Sequence, residues 1–122
     1  MLIQENFRRA TAEIVVLHLL MEEDLYGYQL VKRIQENSDN LYSIPEGTLY
    51  PVMYRMISKG LVSEFNRMVN KRLRRYYHLE DSGRAYYVEA LQEYQSMTRG
   101  ILRILEGKGG NDQNDQSIVT ES

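Results

Sequence analysis

The chain has 122 residues, 43% of them hydrophobic, which suits one small domain whose modest core favours burial against a second subunit; it has no cysteine, which excludes disulfides, thiolate nucleophiles and Cys-ligated metals. Net charge is −2, yet seven basic residues against a single Glu64 give segment 55–78 a net +6 and leave −8 elsewhere; local density of this kind is what a phosphate backbone feels, since salt screens charges beyond about 10 Å. His18 and His78 lack metal-ligand spacing, no apolar run reaches the roughly 18 residues of a membrane span, and the N-terminus lacks a signal peptide's order, so a cytoplasmic protein without cofactor or membrane partner is expected.

A first helix is expected over 4–23, from the spacing of Ala10, Ile14, Leu17 and Met21. His18, set among Val16, Leu17, Leu19 and Leu20, reads as a core or interface histidine. A second helix over 27–36 puts Gly27, Val31 and Ile34 on one face, and NSDNLYSIPEG is a turn-rich connector. The third helix, 46–58, turns Leu49, Val52, Met53, Met56 and Ile57 inward and Gly47, Tyr50, Pro51, Tyr54, Arg55 and Ser58 outward. If Thr48 caps it, Pro51 falls in the first turn, where a missing N–H costs nothing; if the helix begins earlier, a distortion is expected at Pro51. Gly60 is a suitable stop.

LVSEFNR and RRYYHLE read as two strands joined by a short loop around MVNKRL. Alternation puts Arg74, Tyr76 and His78 on one face and Arg75, Tyr77 and Leu79 on the other, so only part of the run can face outward and at least one tyrosine packs on the core. Asp81 or Ser82 offers a cap for a long last helix. There Tyr87, Leu91, Tyr94, Thr98, Ile101 and Leu105 step by three and four, with Met97 widening the stripe, and form a coiled-coil-like dimer seam. Gly107 onward is polar and Gly-rich, expected to be disordered.

The expected fold class is therefore mainly α with a small β-hairpin: a winged helix-turn-helix over 1–80 whose first helix also serves the dimer, a C-terminal dimerisation helix over 81–106, and a tail over 107–122. Solvated helix faces are usually rich in Lys and Glu. Two tyrosines at i and i+4 beside an arginine instead suit base edges and phosphates, because Tyr offers area plus a hydroxyl and Arg can fork onto guanine. The expected DNA contacts are Gly47, Thr48, Tyr50, Pro51, Tyr54, Arg55, Ser58 and Lys59 from the helix and Lys71, Arg72 and Arg74 from the hairpin. Nothing forms a catalytic constellation or a Gly-rich phosphate loop, so no enzyme is expected. Two alternatives stand beside DNA binding: a small-molecule-binding dimer whose seam pocket is the main function, and a winged helix used for protein contact, against which the basic hairpin counts.

YGYQLVKRI, EGTLYPVMYRMISKGLV and RRYYHLEDSG, in this order and spacing, resemble the PadR family of bacterial transcriptional regulators over about 7–94. The resemblance implies a dimeric winged-helix repressor on a pseudo-palindromic promoter site. It puts Thr48, Tyr50 and their outward neighbours in the major groove, and Lys71, Arg72 and Arg74 on phosphates or the adjacent minor groove. A single C-terminal helix is similar to the short subgroup, some members of which stack planar drugs on an aromatic residue at the dimer centre. The matching position is Tyr94, with Leu91 and Thr98 beside it and Ala10, Glu13 and Ile14 from the first helix, which implies a small aromatic effector. The sequence departs from the pattern in having no tryptophan, and in having Glu80 where the family usually has threonine.

Overall fold

The computed structural model describes residues 3–107. In chain order the elements are α1 (Gln4–Leu20), β1 (Leu25–Tyr26), α2 (Gly27–Asn37), α3 (Glu46–Ser58), β2 (Val62–Val69), β3 (Arg72–Leu79) and α4 (Asp81–Glu106). They divide between a head, Met1–Val88, and a second unit, Glu89–Ser122. Of the expected tail, everything past Gly107 lies outside the described residues.

The head's core gathers Val16 and Leu17 from α1, Leu25, Leu30 from α2, Leu49, Met53 and Met56 from α3, and Val62 from β2. The α1 stripe differs from expectation: Thr11, Ala12, Val16, Leu17 and Leu20 are buried, Ala10 is exposed, and Ile14 and Met21 are half-buried. Apolar residues occur on nearly every side of this helix, so spacing alone could not choose the buried face. Helix α2 likewise buries Leu30 rather than Val31. Ile44, read as connector, is fully buried. The chain reaches it through a local knot of hydrogen bonds in which the Ser38 hydroxyl donates to the Ile34 carbonyl at 2.9 Å and accepts from the Tyr42 N–H at 3.1 Å.

Helix α3 has the expected bounds, and of the two starts the sequence left open it takes the earlier one. Pro45 precedes it, and its carbonyl accepts from the N–H groups of both Thr48 and Leu49 at 2.9 Å. Thr48 is therefore inside the helix and Pro51 lies past the first turn, which leaves the Gly47 carbonyl without its i+4 donor. At the other end Gly60 adopts φ +77°, with Leu61 N–H on the Met56 carbonyl and Gly60 N–H on the Ile57 carbonyl, both at 2.9 Å. This pair of bonds satisfies the last helical carbonyls and turns the chain sharply into β2.

The hairpin is tighter than its sequence suggests. Val69 pairs with Arg72, leaving a two-residue turn, Asn70–Lys71, with φ +50° and +67°. Two successive left-handed residues match a type I′ turn, whose twist suits paired strands and which prefers Gly second. Lys71→Gly should therefore stabilise the fold by about 1 kcal/mol in a urea titration while removing one wing charge. A third strand was not anticipated: β1 pairs antiparallel to β3 through Leu25↔Tyr77 and Tyr26↔Tyr76, giving the order β1-β3-β2. Two residues are too few to show a period. Both β3 tyrosines are buried, Tyr76 against Tyr26 and Phe65 and Tyr77 on the opposite face.

Helix α4 begins where Glu80 accepts backbone bonds from Gly83 and Arg84 at 2.9 and 3.1 Å. Ser82, expected as a possible cap, instead donates its hydroxyl to the Gly60 carbonyl at 2.7 Å. Gly83 lies directly against the Leu61 carbonyl, where a side chain would collide. Among the described residues no helix is long and apolar enough to cross a membrane.

Candidate nucleic-acid interface

Burying Leu49, Val52, Met53 and Met56 fixes what α3 shows to solvent. Tyr54 is 74% exposed and Tyr50 50%, and Gly47, Pro51, Arg55, Ser58 and Lys59 are also exposed, with Thr48 half-buried. The face therefore has Gly47, Pro51, Tyr54 and Ser58 along its centre, Tyr50 on one edge and Arg55 and Lys59 on the other.

On the Tyr50 edge, the phenol lies over Gly27, where a Cβ would meet its hydroxyl at 3.2 Å. A groove of about 480 Å³ runs here between the starts of α2 and α3 and the hairpin, lined among others by Tyr26, Tyr28, Tyr50, Asn66, Arg74 and Arg75. Burial pushes the Tyr77 phenol above its ordinary pKa, and the neighbouring Tyr50 adds to the shift. Tyr77 is thus a neutral, buried support for the groove.

The basic residues of the hairpin are not equivalent. Lys71 and Arg72 at the turn are exposed. Arg74 is half-buried, its guanidinium 5.0 Å from the Tyr26 ring centre and its Nε buried without a hydrogen-bond partner. Arg67 stacks 4.5 Å over Tyr76. Arg75, not among the expected contacts, is exposed, lines the groove and sits 3.4 Å from Glu64. The signal that could have found it is the side-chain alternation: Arg75 shares its face with Tyr77 and cross-strand Asn66.

On the other edge, Arg55 and Lys59 approach the Glu13 carboxylate at 3.6 and 3.4 Å. Glu13 also accepts the Tyr86 hydroxyl at 2.8 Å. That bond raises the Tyr86 pKa, with burial adding to it. The expected effector residues on α1 are therefore differently placed: Ala10 is exposed, Ile14 half-buried, and Glu13 engaged by three partners. Those on α4, Leu91, Tyr94 and Thr98, are half-exposed. Of the expected seam, Tyr87 is buried within the head, hydrogen-bonded to His18 Nδ1 at 2.7 Å, so little of it remains for a second subunit. This also gives His18, which is exposed rather than in the core, its partner. Met97, Ile101 and Leu105 are exposed.

Residues 16–89 match the Transcriptional regulator PadR-like family. A transcriptional regulator of Mycobacterium tuberculosis is 31% identical over 106 residues, covering 87% of this chain and 96% of that one. Among solved structures, a PadR family transcriptional regulator from Eggerthella lenta is 32% identical, with a TM-score of 0.72 over 83% of this chain and 87% of that one. Bacillus subtilis PadR, solved in complex with operator DNA, shares the fold at 22% identity, with a TM-score of 0.62 over 66% of this chain and 46% of that one. The chain belongs to the PadR-like family of transcriptional regulators.

Proposed function

We propose that this chain is a cytoplasmic, sequence-specific DNA-binding repressor that acts as a homodimer on a pseudo-palindromic operator near its own gene. The observation that carries the reading is the outward face of α3, with Tyr50, Tyr54 and Arg55 exposed beside a hairpin whose turn presents Lys71 and Arg72. Helix α3 enters the major groove, where Tyr and Arg meet base edges, while the hairpin follows phosphates. Bacillus subtilis PadR, which shares the fold, is solved in complex with operator DNA, and this supports the reading.

Dimerisation is supported by the apolar residues that α4 leaves exposed, Met97, Ile101, Leu102, Ile104 and Leu105. Covering them with a second copy removes a hydrophobic stripe from water and pairs two heads for two half-sites. A planar aromatic effector stacking on Tyr94 at this seam would change the spacing of the heads and so the fit to both half-sites. The family is one of regulators, not of enzymes.

The test is a mobility-shift titration on the intergenic DNA upstream of its own gene, with random duplex as competitor at near-physiological salt. A discrete complex at nanomolar protein, with the mass of a dimer, is expected. Binding that random duplex abolishes at equal concentration overturns the reading.

A further inference from the structure

Four side chains, from α1, α3, α4 and the residue that follows α3, converge at one edge of the recognition face. Glu13 on α1 has a side chain only 16% exposed, and its carboxylate lies 3.6 Å from Arg55 Nε and 3.4 Å from Lys59 Nζ. Tyr86 on α4 donates to its other oxygen at 2.8 Å, and the Lys59 ammonium lies 5.3 Å over the Tyr86 ring. The two cations themselves are nearly half exposed, at 45% and 47%. As a device for stability this is weak, because the cost of taking the Glu13 carboxylate out of water offsets much of its attraction to two half-exposed cations. As a device acting on DNA it is strong, because the carboxylate occupies two of the cations that α3 could offer to a polyanion.

We propose that Glu13 is a specificity-determining residue: it holds Arg55 and Lys59 away from phosphates, so that only the close fit of α3 at an operator releases them. The inference rests on the DNA-binding reading above. Affinity for random DNA comes almost wholly from neutralised phosphates. A cation clasped by Glu13 is withdrawn from that account, and its release opposes every complex that has no base contacts to offset it. Discrimination obtained by penalising the wrong partner is a general strategy. Tyr86 keeps the carboxylate aimed at the two cations by fixing its second oxygen.

The experiment compares wild type, Glu13→Gln, Arg55→Gln/Lys59→Gln and the triple variant on a random 30-base-pair duplex and on the intergenic duplex, across a salt series. Glu13→Gln is expected to tighten random-duplex binding by about three- to tenfold and to steepen the log–log salt slope by about 1 to 2 units, as one or two further phosphates are neutralised. Its specificity ratio should fall. In the Arg55→Gln/Lys59→Gln background, adding Glu13→Gln should change nothing.

Should Glu13→Gln fold poorly, the double variant decides alone. Cations already clasped cost random-duplex binding under about half a slope unit when removed, whereas free ones cost about 2. An unchanged slope in Glu13→Gln, a full two-unit loss in the double variant, or a Glu13 effect that persists without the two cations overturns the proposal. If wild type binds no duplex even at low salt, the DNA-binding reading fails, and this inference with it.

Discussion

Gly83→Ala should lower stability by about 2–3 kcal/mol, seen as a melting temperature roughly 10 °C below wild type. Inside a helix the same exchange normally stabilises by up to about 1 kcal/mol, because glycine loses more backbone freedom on folding. The sign reverses here because the new methyl would collide with the Leu61 carbonyl oxygen and press on Leu79 Cδ1. The carbonyl cannot yield easily: it accepts the Glu80 N–H at 3.0 Å, and the adjoining Gly60 carbonyl accepts Ser82. Helix α4 must therefore lift at its start, which strains the Tyr86–Glu13 and Tyr87–His18 bonds just beyond. Gly100 on the same helix is the control. A Cβ there meets nothing within 4 Å, so Gly100→Ala should raise the melting temperature slightly. Equal effects of the two substitutions would show that the Leu61 contact does not constrain the helix.

The second large effect is expected on DNA. Tyr50→Ala and Arg55→Ala should each weaken operator binding by about 1–3 kcal/mol, roughly 5- to 150-fold, while random duplex loses far less. Arg72→Ala should weaken both alike and flatten the salt slope by about 0.9. The division follows from placement: Tyr50 and Arg55 lie on α3, whereas Arg72 sits at the exposed turn of the hairpin. Mobility shifts at three or more salt concentrations measure it. Equal losses on operator and random duplex for all three variants would sink this division of labour.

Much of this arrangement is legible in the residues themselves. The bounds of α3 follow from the spacing of Leu49, Val52, Met53 and Met56, and Gly60 marks its end through a backbone conformation that side chains resist. Alternation in β3 by itself puts Arg74 and Arg75 on opposite faces. What escapes is whatever depends on distant partners. The strand Leu25–Tyr26 exists only because β3 offers it an edge. Ile44 sits in a connector whose composition says surface, and it is buried because Ser38 organises the turn before it. Arg74 looks like a free phosphate ligand until Tyr26 is found beneath it. Glu13 was visible as a charge on an apolar helix, but not as the partner of two cations more than forty residues away.

The outer half of the hairpin has a consequence for the free protein. Strand β1 covers β3 only at Tyr76 and Tyr77, so from Arg72 to Arg75 the ribbon carries unpaired backbone on the edge away from β2. Met68 and Leu73, cross-strand neighbours near its tip, are also exposed. An open edge with apolar side chains invites a second ribbon to add to it, which is a common beginning of aggregation. Like charges on Arg67, Lys71, Arg72 and Arg74 would oppose such pairing by repulsion between copies. The charges proposed to meet a polyanion would thus also be gatekeepers, and a hairpin neutralised to weaken binding would become a less soluble protein as well.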